Sequence, residues 1–61
     1  MKITKSVTTE RFKIELIEMP NGSYRISYVS SDLDPIVSEM ISDLKLGLYM
    51  FDLKLLELEG H

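Results

Sequence analysis

The chain has 61 residues, a net charge of −3, no cysteine and a single histidine, at position 61. That excludes disulfides, thiolate metal sites and any histidine cluster within one chain. A chain this short makes one small domain with a marginal core, so oligomerisation is the staple left to it.

Residues 1–9 carry Ile3 and Val7 on one side of an extended chain, among Thr and Lys. Thr and Val suit strands, and the segment is expected to be an edge strand or an arm. Residues 10–30 read as a β-hairpin. Its turn is Met19-Pro20-Asn21-Gly22-Ser23, where Pro presets φ, Asn tolerates the next position and Gly supplies a left-handed residue. Phe12, Ile14 and Leu16 alternate with Lys13 and Glu15 before the turn, and Tyr24, Ile26 and Tyr28 with Arg25 and Ser27 after it. Two registers compete. A two-residue Asn-Gly turn sets Leu16 against Ser27 and divides the apolar side chains between faces. A type I turn with a Gly bulge sets Leu16 opposite Ile26, Ile14 opposite Tyr28 and Phe12 opposite Ser30. It gathers the apolar side chains on one face, and it is the register expected. Ile17, Met19 and Val29 are left on the other face.

Ser30-Ser31-Asp32-Leu33-Asp34-Pro35 reads as a stop followed by a helix start, with Asp34 as cap and Pro35 in the first turn. Asp32, Asp34 and Glu39 then lie near the positive end of the helix dipole. The helix is expected over 34–59, closed by Gly60. Val37, Ile41, Leu44, Leu48, Phe51, Leu55 and Leu58 follow one another in alternating steps of four and three. This heptad seam is read as the face packed on the hairpin. A helix of about 24 residues is roughly 36 Å long, whereas a strand of about eight residues spans about 27 Å, so one hairpin cannot cover the seam. A second apolar group, Leu46, Tyr49, Met50, Leu53 and Leu56, makes the C-terminal half apolar almost all round. Gly47 interrupts the helix at a cost of about 1 kcal/mol relative to Ala. The alternative is a break there, with 48–58 as a last strand in a ββαβ order. The fold class expected is α+β, ββα or βββα with one long C-terminal amphipathic helix.

No catalytic constellation is visible. There is no thiol nucleophile, and the only imidazole lies beyond a terminal Gly. Asp32 and Asp34 read as turn and cap residues rather than a carboxylate pair. No metal loop occurs, and Gly22, Gly47 and Gly60 lie too far apart to cradle a phosphate. Neither a cofactor nor a metal is expected, and the chain is not expected to be an enzyme. Most of the apolar stretch over 46–58 is broken by Asp52, Lys54 and Glu57, which is too short and too charged to span a bilayer. No signal peptide is expected, since Met1-Lys2-Ile3-Thr4-Lys5-Ser6 has no apolar run of the needed length. The expectation is a soluble, cytoplasmic chain with no membrane partner.

The function expected is that of a non-enzymatic protein–protein interaction or regulatory domain. It would self-associate as a homodimer, or bind a protein partner, through Leu46, Tyr49, Met50, Leu53 and Leu56. Two alternatives stand beside it. One is a nucleic-acid-binding regulator that uses the basic N-terminal residues Lys2, Lys5, Arg11 and Lys13, with Phe12, Tyr24 and Tyr28 stacking bases. The acidic balance disfavours nucleic acid, and those aromatics read first as core. The other is a small apolar-ligand carrier with its pocket between helix and sheet.

Overall fold

A computed structural model describes residues 2–31, 33–38 and 40–60, and of Leu33 and Asp34 the backbone alone. Asp32 and Glu39, expected near a helix dipole, and His61 lie outside the described residues. The elements run β1 (Lys2–Thr8), β2 (Phe12–Glu18), β3 (Tyr24–Ser30), β4 (Leu33–Val37) and α1 (Leu44–Glu59). The strands form one antiparallel sheet in the order β1-β2-β3-β4. The class is α+β as expected, with a four-stranded meander in place of a hairpin alone.

The central hairpin has the bulged register. Leu16 stands opposite Ile26, Ile14 opposite Tyr28 and Phe12 opposite Ser30. The turn closes through Gly22 N–H donating to the Met19 carbonyl at 3.0 Å and Met19 N–H donating to the Ser23 carbonyl at 2.8 Å. Gly22 has φ +86°, the left-handed value the bulge requires. The Asn21 carboxamide oxygen accepts from the Ser23 N–H at 3.0 Å and from the Ser23 hydroxyl at 2.6 Å, so the buried hydroxyl is satisfied.

The N-terminal segment is an edge strand, but Ile3 and Val7 do not share a face. Ile3 pairs with Ile17 and Lys5 with Leu16, so Thr4 is an extra residue in β1. One inserted residue reverses the side-chain alternation. Val7 therefore joins Ile14 on the helix side, and Ile3 lies with Ile17 on the open side.

The expected helix start at Asp34-Pro35 is a strand instead. Ser30 pairs with Leu33 and Tyr28 with Ile36, which leaves Asp34 and Pro35 opposite Val29 alone. Proline is tolerated at a bulge on an edge strand, where no ladder N–H is demanded. The residue before proline is biased toward extended backbone, and Ile36 and Val37 are β-branched. The chain then stays beside β3. Ser38 N–H donates to the Ile26 carbonyl and its hydroxyl accepts from Ile26 N–H, both at 2.8 Å. Ile41 and Tyr24 exchange backbone hydrogen bonds at 2.7 and 2.8 Å.

The helix therefore begins ten residues later than expected, at Leu44, after an extended Asp43 whose side chain makes no capping bond. It runs unbroken through Gly47 to Glu59, and Gly60 follows it. The alternative strand over 48–58 does not form. Gly47 is present because the helix approaches the sheet there: a Cβ would sit 3.3 Å from Leu16 Cδ1 and 3.8 Å from Tyr24 Cβ.

The core is Phe12, Ile14, Leu16, Ile26, Ile41 and Phe51, with Val7, Tyr24, Tyr28, Leu48, Leu55 and Leu58 packed around it. Phe51, Ile14 and Leu16 are fully buried. Of the expected heptad seam, Leu48, Phe51, Leu55 and Leu58 face the sheet; Leu44 opens the helix and is exposed, Val37 is an exposed strand residue and Ile41 a buried bridge residue. A helix of 16 residues is about 24 Å long, and strands of seven residues span about the same. The helix is thus about as long as the strands it packs on, rather than about 9 Å longer.

Candidate interaction surface

The second apolar group of the sequence lies on the back of α1. Successive residues are rotated by about 100°, so Leu46, Tyr49, Met50, Leu53 and Leu56 fall in a stripe about 120° wide. Phe51, fully buried, marks the middle of the opposite face. The five stripe residues are exposed, from 38% at Met50 to 67% at Leu56. All five residues expected to form a contact surface are therefore on one side of one element, facing solvent. Glu57 is the one charged residue within that arc, at the C-terminal end between the angles of Leu46 and Met50; Lys45, Asp52, Lys54 and Glu59 stand outside it.

Positions 46, 49, 53 and 56 also follow steps of three, four and three. The helix thus carries two heptad seams, one spent on the sheet and one turned outward. The sequence shows this second spacing directly, and it becomes meaningful only once the first seam is known to be covered. Lys45, Asp52 and Glu59 border the outward seam on one side; Met50 and Glu57 border it on the other.

The sheet holds the helix at its flanks by charge. Lys5 Nζ is 3.2 Å from Asp52 Oδ1 and 5.1 Å from the centre of the Phe51 ring. The β1 bulge is what puts Lys5 on the helix side. On the other flank Lys54 Nζ is 3.2 Å from Glu57 Oε2 and 5.0 Å from the centre of the Tyr28 ring. Burial by itself lowers the pKa of the Lys54 ammonium. The hydrogen bond to Glu57 and the charges of Tyr28 and Glu57 outweigh it, and the pKa stands above the ordinary 10.5.

Other apolar residues reach solvent without forming a comparable stripe. Ile3, Val29 and Val37 lie on the open face of the sheet. There Lys13, Glu15 and Arg25 separate them, and Lys13 lies 4.0 Å from Glu15. A sheet of this kind commonly has one solvated face of mixed character.

The features behind the alternative readings are dispersed. Phe12 is buried, and Tyr24 and Tyr28 pack on the core under the helix, so none of the three is laid out as a stacking platform. Of the N-terminal basic residues, Lys5 faces the helix and is paired with Asp52, whereas Lys13 is on the opposite face of the sheet. Between helix and sheet, Phe51, Ile14 and Leu16 fill the space. A shallow depression of about 280 Å³ lies elsewhere, at the β1–β2 loop, lined by Thr9, Arg11, Lys13, Val29 and Ser30 among others. That is just below the usual size of a small-molecule site. Among the described residues no group of three or more acidic or histidine side chains is placed to hold a metal. No helix among them is long and apolar enough to cross a membrane. The chain matches no known protein family, no curated protein and no solved structure.

Proposed function

We propose that this chain is a non-enzymatic interaction domain, regulatory in class, that associates with a second copy of itself through the outward stripe of α1. The observation that carries this reading is the stripe: five large apolar side chains on one side of one helix, exposed while Leu48, Phe51, Leu55 and Leu58 on its other side pack on the sheet. Apolar patches of that kind mark contact surfaces, and Tyr and Met are enriched in them. A second support is the thin core of six buried apolar residues, with no disulfide to supplement it.

The size of the surface sets the strength. A helix about 24 Å long and about 10 Å across offers less than the roughly 800 Å² per partner of a standard interface. The dimer is therefore a small-interface one that dissociates on dilution. The test is size-exclusion chromatography with light scattering at tens of micromolar, on the wild type and on Leu53→Asp. Two chains for the wild type and one for the variant support the proposal. One chain for both overturns it.

A further inference from the structure

The arrangement of charges beside the outward seam distinguishes two ways in which two copies of α1 can meet. In a parallel pair, each residue flanking the seam on the Lys45 side faces the residue five positions later on the partner, and these flanking charges set orientation. Lys45 then faces Met50 of the other copy, and Asp52 faces Glu57, twice. The parallel pair thus brings no opposite charges together across the seam. In an antiparallel pair, residues of the same flank face each other. Lys45 meets Glu59 of the other copy, twice, and Met50 meets Met50 on the two-fold axis. Asp52 meets Asp52 once and Glu57 comes toward Asp43 of the other copy, twice. In either arrangement Asp52 and Glu57 are held within their own chain, by Lys5 and Lys54, each at 3.2 Å, so the pairing that separates the two is Lys45 with Glu59. Neither Lys45 nor Glu59 has an ion pair among the described residues, and both are exposed. Antiparallel helices also align each positive N-terminus with the partner's negative end.

Resting on the self-association proposed above, we infer that the two copies pack their α1 helices antiparallel, with Leu46 against Leu56 and Tyr49 against Leu53 across a two-fold axis at Met50. The two Lys45–Glu59 pairs fix that direction. The sheets then lie outermost, giving a four-layer sheet–helix–helix–sheet assembly in which neither sheet obstructs the other copy. Such a contact is isologous and closes at two chains.

Cysteine cross-linking tests the direction, because the chain has no cysteine of its own. Leu46→Cys and Leu56→Cys replace exposed side chains and leave the core intact. Each is oxidised alone with glutathione disulfide, and the two are oxidised as a mixture. A disulfide needs Cα atoms within about 7 Å. The antiparallel pair gives a mixed 46–56 cross-link and little product from either variant alone. Homodimeric cross-links from each variant alone, without the mixed product, overturn the antiparallel arrangement and leave self-association standing. No product in any tube, with a single-chain mass for the wild type, removes the self-association itself. A charge swap gives an independent reading. Lys45→Glu should weaken the dimer about three- to thirtyfold, and adding Glu59→Lys should restore it. An unrestored double variant contradicts the Lys45–Glu59 pairing.

Discussion

Gly47 sets the distance between helix and sheet, and substitution there has a sign that can be worked out. On an isolated helix, Gly→Ala gains about 1 kcal/mol. Here the new methyl would stand 3.3 Å from Leu16 Cδ1, so Leu16 must give by a few tenths of an ångström. Leu16 is fully buried in the cluster with Ile14, Ile26 and Phe51 and has little room to move. Overpacking of this kind costs about 1–3 kcal/mol. Gly47→Ala should then fall between neutral and about 2 kcal/mol less stable than wild type, the overpacking cost less the propensity gain. Gly47→Val should lose about 2–3 kcal/mol, since a β-branched side chain cannot rotate both γ-carbons clear of Leu16 and Tyr24. For 61 residues that is a fall in Tm of roughly 15 °C or more. Urea unfolding followed by circular dichroism at one fixed protein concentration measures both variants. Leu16→Ala combined with Gly47→Val should cost less than the sum of the single changes, because the shortened side chain vacates the space. A Gly47→Val variant as stable as wild type would refute the close approach, and so would a Gly47→Ala variant stabilised by the full propensity gain.

Three further outcomes follow from the same packing. Phe51→Ala empties the centre of the core and should cost about 3–5 kcal/mol; a cooperative unfolding transition unchanged from wild type would contradict its burial. Gly22→Ala forces a side chain into φ +86° and should cost about 1–2 kcal/mol in the same assay, although open space surrounds that position. Lys54 has a folded pKa above its unfolded value, so its contribution is fully present below about pH 10.5 and is lost as pH rises through the folded pKa. Lys54→Met should flatten the alkaline limb of the stability profile; an unchanged limb would show that Glu57 and Tyr28 do not hold the ammonium.

The parts of this fold that were legible from residues alone are those fixed by local chemistry. Pro20-Asn21-Gly22 admits one turn that gathers Phe12, Ile14, Leu16, Ile26 and Tyr28 on one face, and that register is the one observed. The helix also ends at Glu59 as expected, but Gly60 has φ −74° and its N–H donates to the Leu56 carbonyl, so the left-handed cap behind that expectation is not formed. What was missed depends on context. Asp34-Pro35 suits a helix start and an edge-strand bulge alike, and only pairing with β3 decides between them. The alternating steps of four and three ran on through Val37 and Ile41 because strand and bridge residues happened to fall in phase with the helix. The β-branched pair Ile36 and Val37 was the available signal against a helix there. The bulge at Thr4, which parts Ile3 from Val7, has no marker such as glycine in the sequence.

Leu46, Tyr49, Met50, Leu53 and Leu56 are singled out in the sequence because they lie off the sheet-facing seam, and all five are exposed on the back of α1. That they form a contact is the proposal. The fourth strand shortens the helix, so the length mismatch that was a second ground for uncovered surface is gone. The spacing of Leu46, Tyr49, Leu53 and Leu56 as a second heptad seam is a property of sequence that acquires meaning from the sheet.

Sedimentation equilibrium of the wild-type chain from about one to about one hundred micromolar tests self-association most directly. Association through α1 predicts a weight-average mass that rises from one chain toward two across that range and levels there. A mass that stays at 7.0 kDa at every concentration would contradict it.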